Sequence, residues 1–285
     1  MYTQEITRRH RAAIVIAIDQ SSSMSGRIST NNGDMSKAEV VSMVTGRLID
    51  ELILRAHRDN GYRHYYDIAL VGYSKDSVYT LLGDEIAFYP ITTLAGQRVR
   101  RAPYMMPYKT INRGVSSILE EVSIWVEPSA QGSTPMYKMI NCVTDLVKGW
   151  CDKEENKDSF PPLVFNITDG EASDADYDML RGAAARLKKT GTRDGNTIFA
   201  NVHITSEVNH ASVLFPNLNE VPLSIRHAHL LMDMSSIMPD QLNSYICECR
   251  SNYAAPPYIA MSYNSSISEI VAMLNIGSRS LIMGL

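Results

Sequence analysis

Strand-length apolar runs alternating with helix-length amphipathic segments predict an α/β fold: a doubly wound, mainly parallel six-stranded sheet with one antiparallel edge strand and helices on both faces. Three observations carry this reading. Ala13-Ile14-Val15-Ile16-Ala17-Ile18 is a continuous apolar run, the mark of a strand buried on both faces. It ends abruptly in Asp19-Gln20-Ser21-Ser22-Ser23, with Met24-Ser25-Gly26 turning the chain away. A second run, Leu163-Val164-Phe165-Asn166-Ile167-Thr168, also ends in an acid, Asp169, with Gly170 to turn. Open α/β sheets bind ligands outside the carboxyl ends of their strands, where both acids stand.

The remaining elements follow in chain order. A polar loop over 26–34 leads to a helix over 36–57, whose Val41, Val44, Leu48 and Leu52 form one stripe. Residues 67–74 read as the second strand. Lys75-Asp76 turns tightly into 77–82, the antiparallel edge strand. Residues 83–110 carry Pro90, Pro103 and Pro107 and no dependable periodicity. An irregular stretch of that length is uncommon inside a domain. Its Tyr89, Tyr104, Met105, Met106 and Tyr108 suit either an interface or a cover on the sheet edge. A helix is expected over 111–126, with Val115, Ile118, Leu119 and Val122 inward, and another over 135–150. The segment 151–162 reads as a charged loop. Beyond it come a helix over 174–190, a strand over 197–204 and an unreadable segment over 209–239. A helix over 239–251, a strand over 257–263 and a closing helix over 266–281, with Ile267, Ile270, Val271 and Leu274 inward, complete the chain. One domain over 1–285 is expected, with a core of about 11–282 and insertions of about 83–110 and 209–239.

Composition excludes several classes. The 285 residues are 45% hydrophobic and 20% charged, an ordinary globular balance. A net charge of −4 argues against general nucleic-acid binding, which wants a basic stripe. Arg8-Arg9-His10-Arg11 reads as a solvated approach to the first strand. No apolar run reaches about 18 residues, so no membrane span is expected, and no secretory leader is visible after Met1, which makes the expected location cytoplasmic. Cys142, Cys151, Cys247 and Cys249 lack zinc-site spacing and read as reduced, packing thiols. His227 and His229, the one tight histidine pair, read as structural.

A carboxylate followed by hydroxyls suits a hard cation, because Mg²⁺ takes oxygen ligands and keeps several waters. Between the two strand ends, Gln131-Gly132-Ser133-Thr134-Pro135-Met136 adds a loop threonine before a helix. Each piece alone has a plainer reading: Ser and Asp cap helices, and Thr134 before Pro135 is an ordinary helix start. Together, Asp-x-Ser-x-Ser, a loop Thr and a strand-terminal Asp resemble the metal-ion-dependent adhesion site of the von Willebrand factor A family, whose fold is a doubly wound, Rossmann-like sheet. The resemblance extends over almost the whole chain. It implies that Ser21, Ser23 and Thr134 ligate Mg²⁺ directly, that Asp19 and Asp169 act largely through water, and that Mn²⁺ or Ca²⁺ can substitute. Thr168, on the opposite face of its strand from Asp169, reads as structural. Ser22 stands at a variable position of the motif.

The resemblance further implies a protein-binding module rather than an enzyme: an Asp or Glu of a protein partner completes the metal shell. Asp-Gln-Ser and Gly-Ser-Thr-Pro-Met look most similar to bacterial single-domain members, including the tellurite-resistance-associated type. Such members work beside a kinase and phosphatase or serve AAA+ ATPases. Enzyme readings lack parts, since there is no nucleotide-binding glycine loop and no Gly-x-Ser-x-Gly elbow. The alternative is a Mg²⁺-dependent phosphohydrolase of the haloacid dehalogenase type. Its motif places an acid two residues after the nucleophile, where this chain has Ser21.

Overall fold

Ala12–Asp19 (β1) lies at the centre of the sheet, and all eight of its residues are buried. Its side chains alternate between two apolar layers, as the pleat requires. Ile14, Ile16 and Ile18 face one layer with Ile68, Leu70, Phe165 and Ile167; Ala13, Val15 and Ala17 face the other with Val71, Val164 and Phe199. The computed structural model describes residues 2–109, 115–205, 212–221, 225–250, 254–264 and 269–273, and not the side chains of 107–109, 115 and 116.

Helix Lys37–Ala56 (α1) covers the first layer. It begins with a capping box, in which the Ser36 side chain accepts from the Glu39 backbone and the Glu39 carboxylate accepts from the Ser36 backbone. Strand Tyr66–Ser74 (β2) pairs parallel with β1, and Ser77–Thr80 (β3) folds back antiparallel along it. Tyr89–Pro90 (β4) adds a second, very short antiparallel partner to β2. Helix Met136–Cys151 (α2) covers the second layer. Strand Leu163–Thr168 (β7) pairs parallel with the other side of β1. Helix Tyr177–Lys189 (α3) and strand Ile198–His203 (β8) follow, then Val213–Leu214 (β9), helix Arg226–Met234 (α4), helix Asn243–Cys249 (α5) and strand Met261–Tyr263 (β10). The sheet order is β9-β10-β8-β7-β1-β2-β3. The chain leaves β1 toward one edge and returns to its other side with β7, so the order reverses between β1 and β7, where such sheets bind ligands.

The mainly parallel α/β fold with helices on both faces agrees with the expectation, but among the described residues the sheet has eight strands rather than six. The additions are β4 and β9, two-residue antiparallel pieces at opposite edges. Neither is long enough to show a period. The larger correction concerns 111–126, expected as a helix. Arg101–Lys109 (β5) and Val115–Ser123 (β6) instead form a separate antiparallel ribbon. Apolar residues at positions 115, 118, 119 and 122 fit a helical stripe, but Ile118 and Leu119 are exposed at 49% and 64% while Val122 and Met106 are buried. Pairing with a preceding segment decided between two periods that the sequence left ambiguous. Residues 83–109 are accordingly structured, and their Ile91, Leu94 and Met106 join the core under α1. The unreadable 209–239 stretch supplies α4. Of the closing helix, 269–273 are helical with Ile270 and Met273 buried; Ile267 and Leu274 lie outside the described residues.

Arg11 is also not a solvated approach. It pairs with Asp67 at 3.1 Å, and Asp67 further accepts from Trp150 Nε1 at 2.9 Å. A second polar seam crosses the sheet: Tyr73 donates to Asn166 Oδ1 at 2.6 Å and Asn166 to Asn201 at 2.9 Å. The small Ala17, register partner of Asn166, lies between Asn166 and β2. Buried amides paired in this way avoid the desolvation penalty that an unmatched amide would carry.

Helix α1 meets the ribbon at Gly46, where a Cβ would stand 2.0 Å from the Ser123 carbonyl oxygen. Backbone cannot yield as a side chain can. Gly46→Ala should therefore destabilise the protein by about 1–2 kcal/mol in urea denaturation, the overpacking cost exceeding the roughly 1 kcal/mol gain in helix propensity.

Candidate functional site

Burial dictates the geometry at the end of β1. Asp19 is fully buried, and a carboxylate in that position requires hydrogen bonds. Oδ1 accepts from the Ser21 backbone N–H at 2.9 Å, and Oδ2 accepts from Thr168 Oγ1 at 2.7 Å. Thr168 Oγ1 in turn accepts from the Gly170 N–H at 3.0 Å. One carboxyl group thereby shapes its own turn and ties it to the turn after β7. Burial pushes the Asp19 carboxyl up to about 6, against the lowering effect of these bonds.

The turn itself is a short 3-10 helix, Ser22–Ser25, rather than an extension of the strand. Its curl brings Ser21 Oγ and Ser23 Oγ within 3.0 Å of each other and leaves Ser22 exposed and off the cleft. The Thr134 loop docks on this turn through its backbone: Gln131 N–H donates to Gln20 O at 2.7 Å, and Ser22 N–H to Gly132 O at 3.0 Å. Gly132 sits at φ +73°, and a Cβ there would crowd the Lys75 backbone at 3.1 Å. On its other side the loop is stitched to the segment after Asp169. Thr134 N–H donates to Ser173 Oγ at 2.9 Å and Ser173 N–H to Thr134 O at 3.0 Å. Asp174 caps α2 from outside, accepting from the Tyr137 and Lys138 N–H groups at 3.0 Å each. The N-cap position of α2 is Pro135, with no side-chain cap bond, so Thr134 does not act as the helix cap.

Ser21, Ser23, Thr134 and Asp169 line one cleft of about 430 Å³ at the carboxyl ends of β1 and β7, with Asp19 beneath it. Lys37, His203 and Tyr263, which the sequence did not single out, join them, as does His227, expected to be structural. Lys37, the first residue of α1, reaches in to pair with Asp169 Oδ2 at 3.1 Å, both side chains about one-tenth exposed. His203 ends β8, stacks on Tyr263 at 5.3 Å between centroids and stands 5.4 Å from His227. Burial, then the neighbouring His227, lowers the His203 pKa to about 4, so its imidazole is neutral at physiological pH. His227 and His229 part company on α4: His227 faces the cleft, whereas His229 Nε2 lies 3.1 Å from Val221 O. A buried Lys at a helix start carries no sequence signature, and the histidines converge from distant segments.

Among the described residues no group of three or more His, Cys, Asp and Glu comes together to hold a metal. Besides the imidazoles of His203 and His227, the donors lining this cleft are hydroxyls with the carboxylates of Asp169 and Glu171, an oxygen-rich set that suits a hard cation. None of Cys142, Cys151, Cys247 and Cys249 forms a disulfide. No helix among the described residues is long and apolar enough to cross a membrane.

No family model matches the chain, and no curated protein matches it. Among solved structures, it is similar to the von Willebrand factor domain of the type V pili tip protein Mfa5 from Porphyromonas gingivalis, at 14% identity and a TM-score of 0.33, over 57% of this chain and 39% of that one. A von Willebrand factor type A protein from Catenulispora acidiphila overlaps at 14% identity and a TM-score of 0.39, over 69% and 34% of the two chains. An uncharacterized membrane-spanning protein from Vibrio fischeri overlaps at 12% identity and a TM-score of 0.30, over 79% and 85%. The chain thus spans well under half the length of the first two. Overlaps this loose carry no argument about the site, which rests on the geometry above.

Asp19 makes a pH-dependent stability prediction. Its folded pKa of about 6 lies above the unfolded value, so the fold favours the neutral acid; that stabilisation is present below about pH 4 and lost as pH rises through about 6. In EDTA, Asp19→Asn should therefore stabilise the protein by on the order of 2 kcal/mol near pH 7.5 and by little near pH 4. Chemical denaturation at both pH values checks this, and an equal effect at the two would refute the burial account.

Proposed function

We propose that this chain is a metal-dependent protein-interaction module of the von Willebrand factor A type, in which Ser21, Ser23 and Thr134 ligate Mg²⁺ and Asp19 and Asp169 support it through water. The observation that carries the reading is the convergence of three separate loops on one cleft, with every hydroxyl of the motif but none of Ser22 on its wall. Bound there, the cation supplies an electrophilic centre with a position open to an incoming carboxylate; Mn²⁺ or Ca²⁺ can take its place.

The chain's own residues do the rest. Ser21 and Ser23 present neutral oxygens, which leave the cation's charge largely uncompensated. Asp19 lies beneath the cleft and, by accepting from the Ser21 N–H, fixes the turn that presents Ser21. A partner's Asp or Glu entering the cleft would meet a polar wall of hydroxyls and the Lys37 ammonium, with the cation as its main attraction. We assign the partner as a protein with an exposed acidic residue, in a bacterial, cytoplasmic signalling, stress-response or ATPase-linked complex. Kinase and phosphatase or AAA+ systems are the settings that the motif suggests; neither nucleic acid nor a membrane is assigned.

Enzymatic turnover is not assigned. In the phosphohydrolase alternative Asp19 would be the nucleophile, yet both its oxygens already accept hydrogen bonds and the residue is fully buried. The purified protein should show no Mg²⁺-dependent hydrolysis of para-nitrophenyl phosphate; robust activity that disappears in Asp19→Asn would favour the hydrolase.

The interaction reading is tested by capturing partners from lysate on the immobilised chain in Mg²⁺ or EDTA. Capture should require Mg²⁺ and fall at least about tenfold in Thr134→Ala and Ser21→Ala, while Ser22→Ala is silent. Thr134 is buried but makes no side-chain cap bond, so Thr134→Ala should cost no more than about 1 kcal/mol of stability. Capture indifferent to both EDTA and Thr134→Ala would sink the proposal.

A further inference from the structure

Lys37 is placed against ordinary preference twice over. A cation at the first position of a helix opposes the macrodipole, and a lysine is seldom buried unless paired. Its side chain is only 8% exposed and crosses Gly26, where a Cβ would stand 3.1 Å from Cε and 3.5 Å from Nζ. The ammonium ends on Asp169 Oδ2, inside the cleft lined by Ser21, Ser23 and Thr134. Asp19 is bound by Ser21 and Thr168, and Glu171 stands exposed on the cleft wall, so Asp169 is the largely buried carboxylate that faces the cleft, and Lys37 already holds it.

We propose that Lys37 is an internal competitor for the divalent ion: its ammonium neutralises Asp169 in the metal-free protein, and metal binding displaces it. This inference rests on the cleft being a cation site. A lysine ammonium and a divalent ion held against one largely buried carboxylate repel each other, because like charges a few ångströms apart and partly shielded from water interact strongly. Metal affinity is then set by the difference between two cations for the same acid. The released ammonium, on its four-carbon stem, swings out past Gly26 toward the rim, where it offers a charge to an acidic partner. Metal occupancy would thereby create a second cationic contact on the binding face.

The test uses Mn²⁺ as probe, with free ion followed by electron paramagnetic resonance, on the full chain and on Lys37→Gln, which keeps a stem and a donor but removes the charge. Lys37→Gln should bind Mn²⁺ about tenfold or more tightly than the parent, and the gain should vanish in Lys37→Gln/Thr134→Ala. Equal or weaker binding by Lys37→Gln, with Thr134→Ala still abolishing it, overturns the competitor and leaves the site reading standing. Binding by neither protein, or binding indifferent to Thr134→Ala, overturns the site reading and this inference with it. A second measurement needs no variant. Reductive methylation of Lys37, read by peptide mass spectrometry, should accelerate several-fold at saturating Mn²⁺ as the ion pair opens; an unchanged rate rules out displacement even if Lys37→Gln fails to fold.

Discussion

The structure turns on a carboxylate that has no access to water. Asp19 ends the central strand with both oxygens committed, one to the backbone of its own turn and one to the end of the neighbouring strand. An unpaired charge there would cost several kcal/mol, so the two turns must hold the relation that satisfies it. From that constraint the rest of the site follows. Ser21 and Ser23 are brought onto one wall, Gln20 O and Ser22 N–H are left free to receive the Thr134 loop, and Gly170 is set to turn beside His227. A group that destabilises the fold at neutral pH thus organises the cleft, the usual relation between strain and function.

Charge balance at the cleft is the second organising feature. The only ion pair that reaches into it among the described residues joins Lys37 to Asp169, and both are largely removed from solvent. Such pairs seldom add much net stability, since desolvation offsets most of the attraction. Their worth lies in what they specify. Here the pair pins the start of α1 against the turn after β7, across Gly26, and joins the first apolar layer to the carboxyl end of the sheet. Neutral His203, stacked on Tyr263, extends the wall without adding charge.

The ribbon of β5 and β6 lies away from the cleft, on the α1 side, and shows how packing overrides pattern. One edge of it closes over α1 through Val122, Met106 and the contact at Gly46, while Ile118 and Leu119 remain outside. The same apolar spacing would have served a helix. What excludes the helix is the partner strand, Arg101–Lys109, whose pairing uses the backbone groups that a helix would have closed internally.

By itself the sequence determined the layered α/β architecture and most of the cleft. Long runs such as Ala12–Asp19 and Leu163–Thr168 have one stable environment, a strand covered on both faces, and their carboxyl ends can only lie side by side where the order reverses. Asp19, Ser21, Ser23 and Asp169 stand in short local patterns at such ends and Thr134 in one just before a helix, which is why the sequence singled them out. Tertiary structure alone decided the two-residue edge strands, the ribbon in place of a helix, and the arrival of Lys37, His203, His227 and Tyr263 at the cleft. These depend on contacts between segments tens of residues or more apart, and nothing in the local spacing of Lys37 or His203 records which distant carboxylate or ring will be waiting for them.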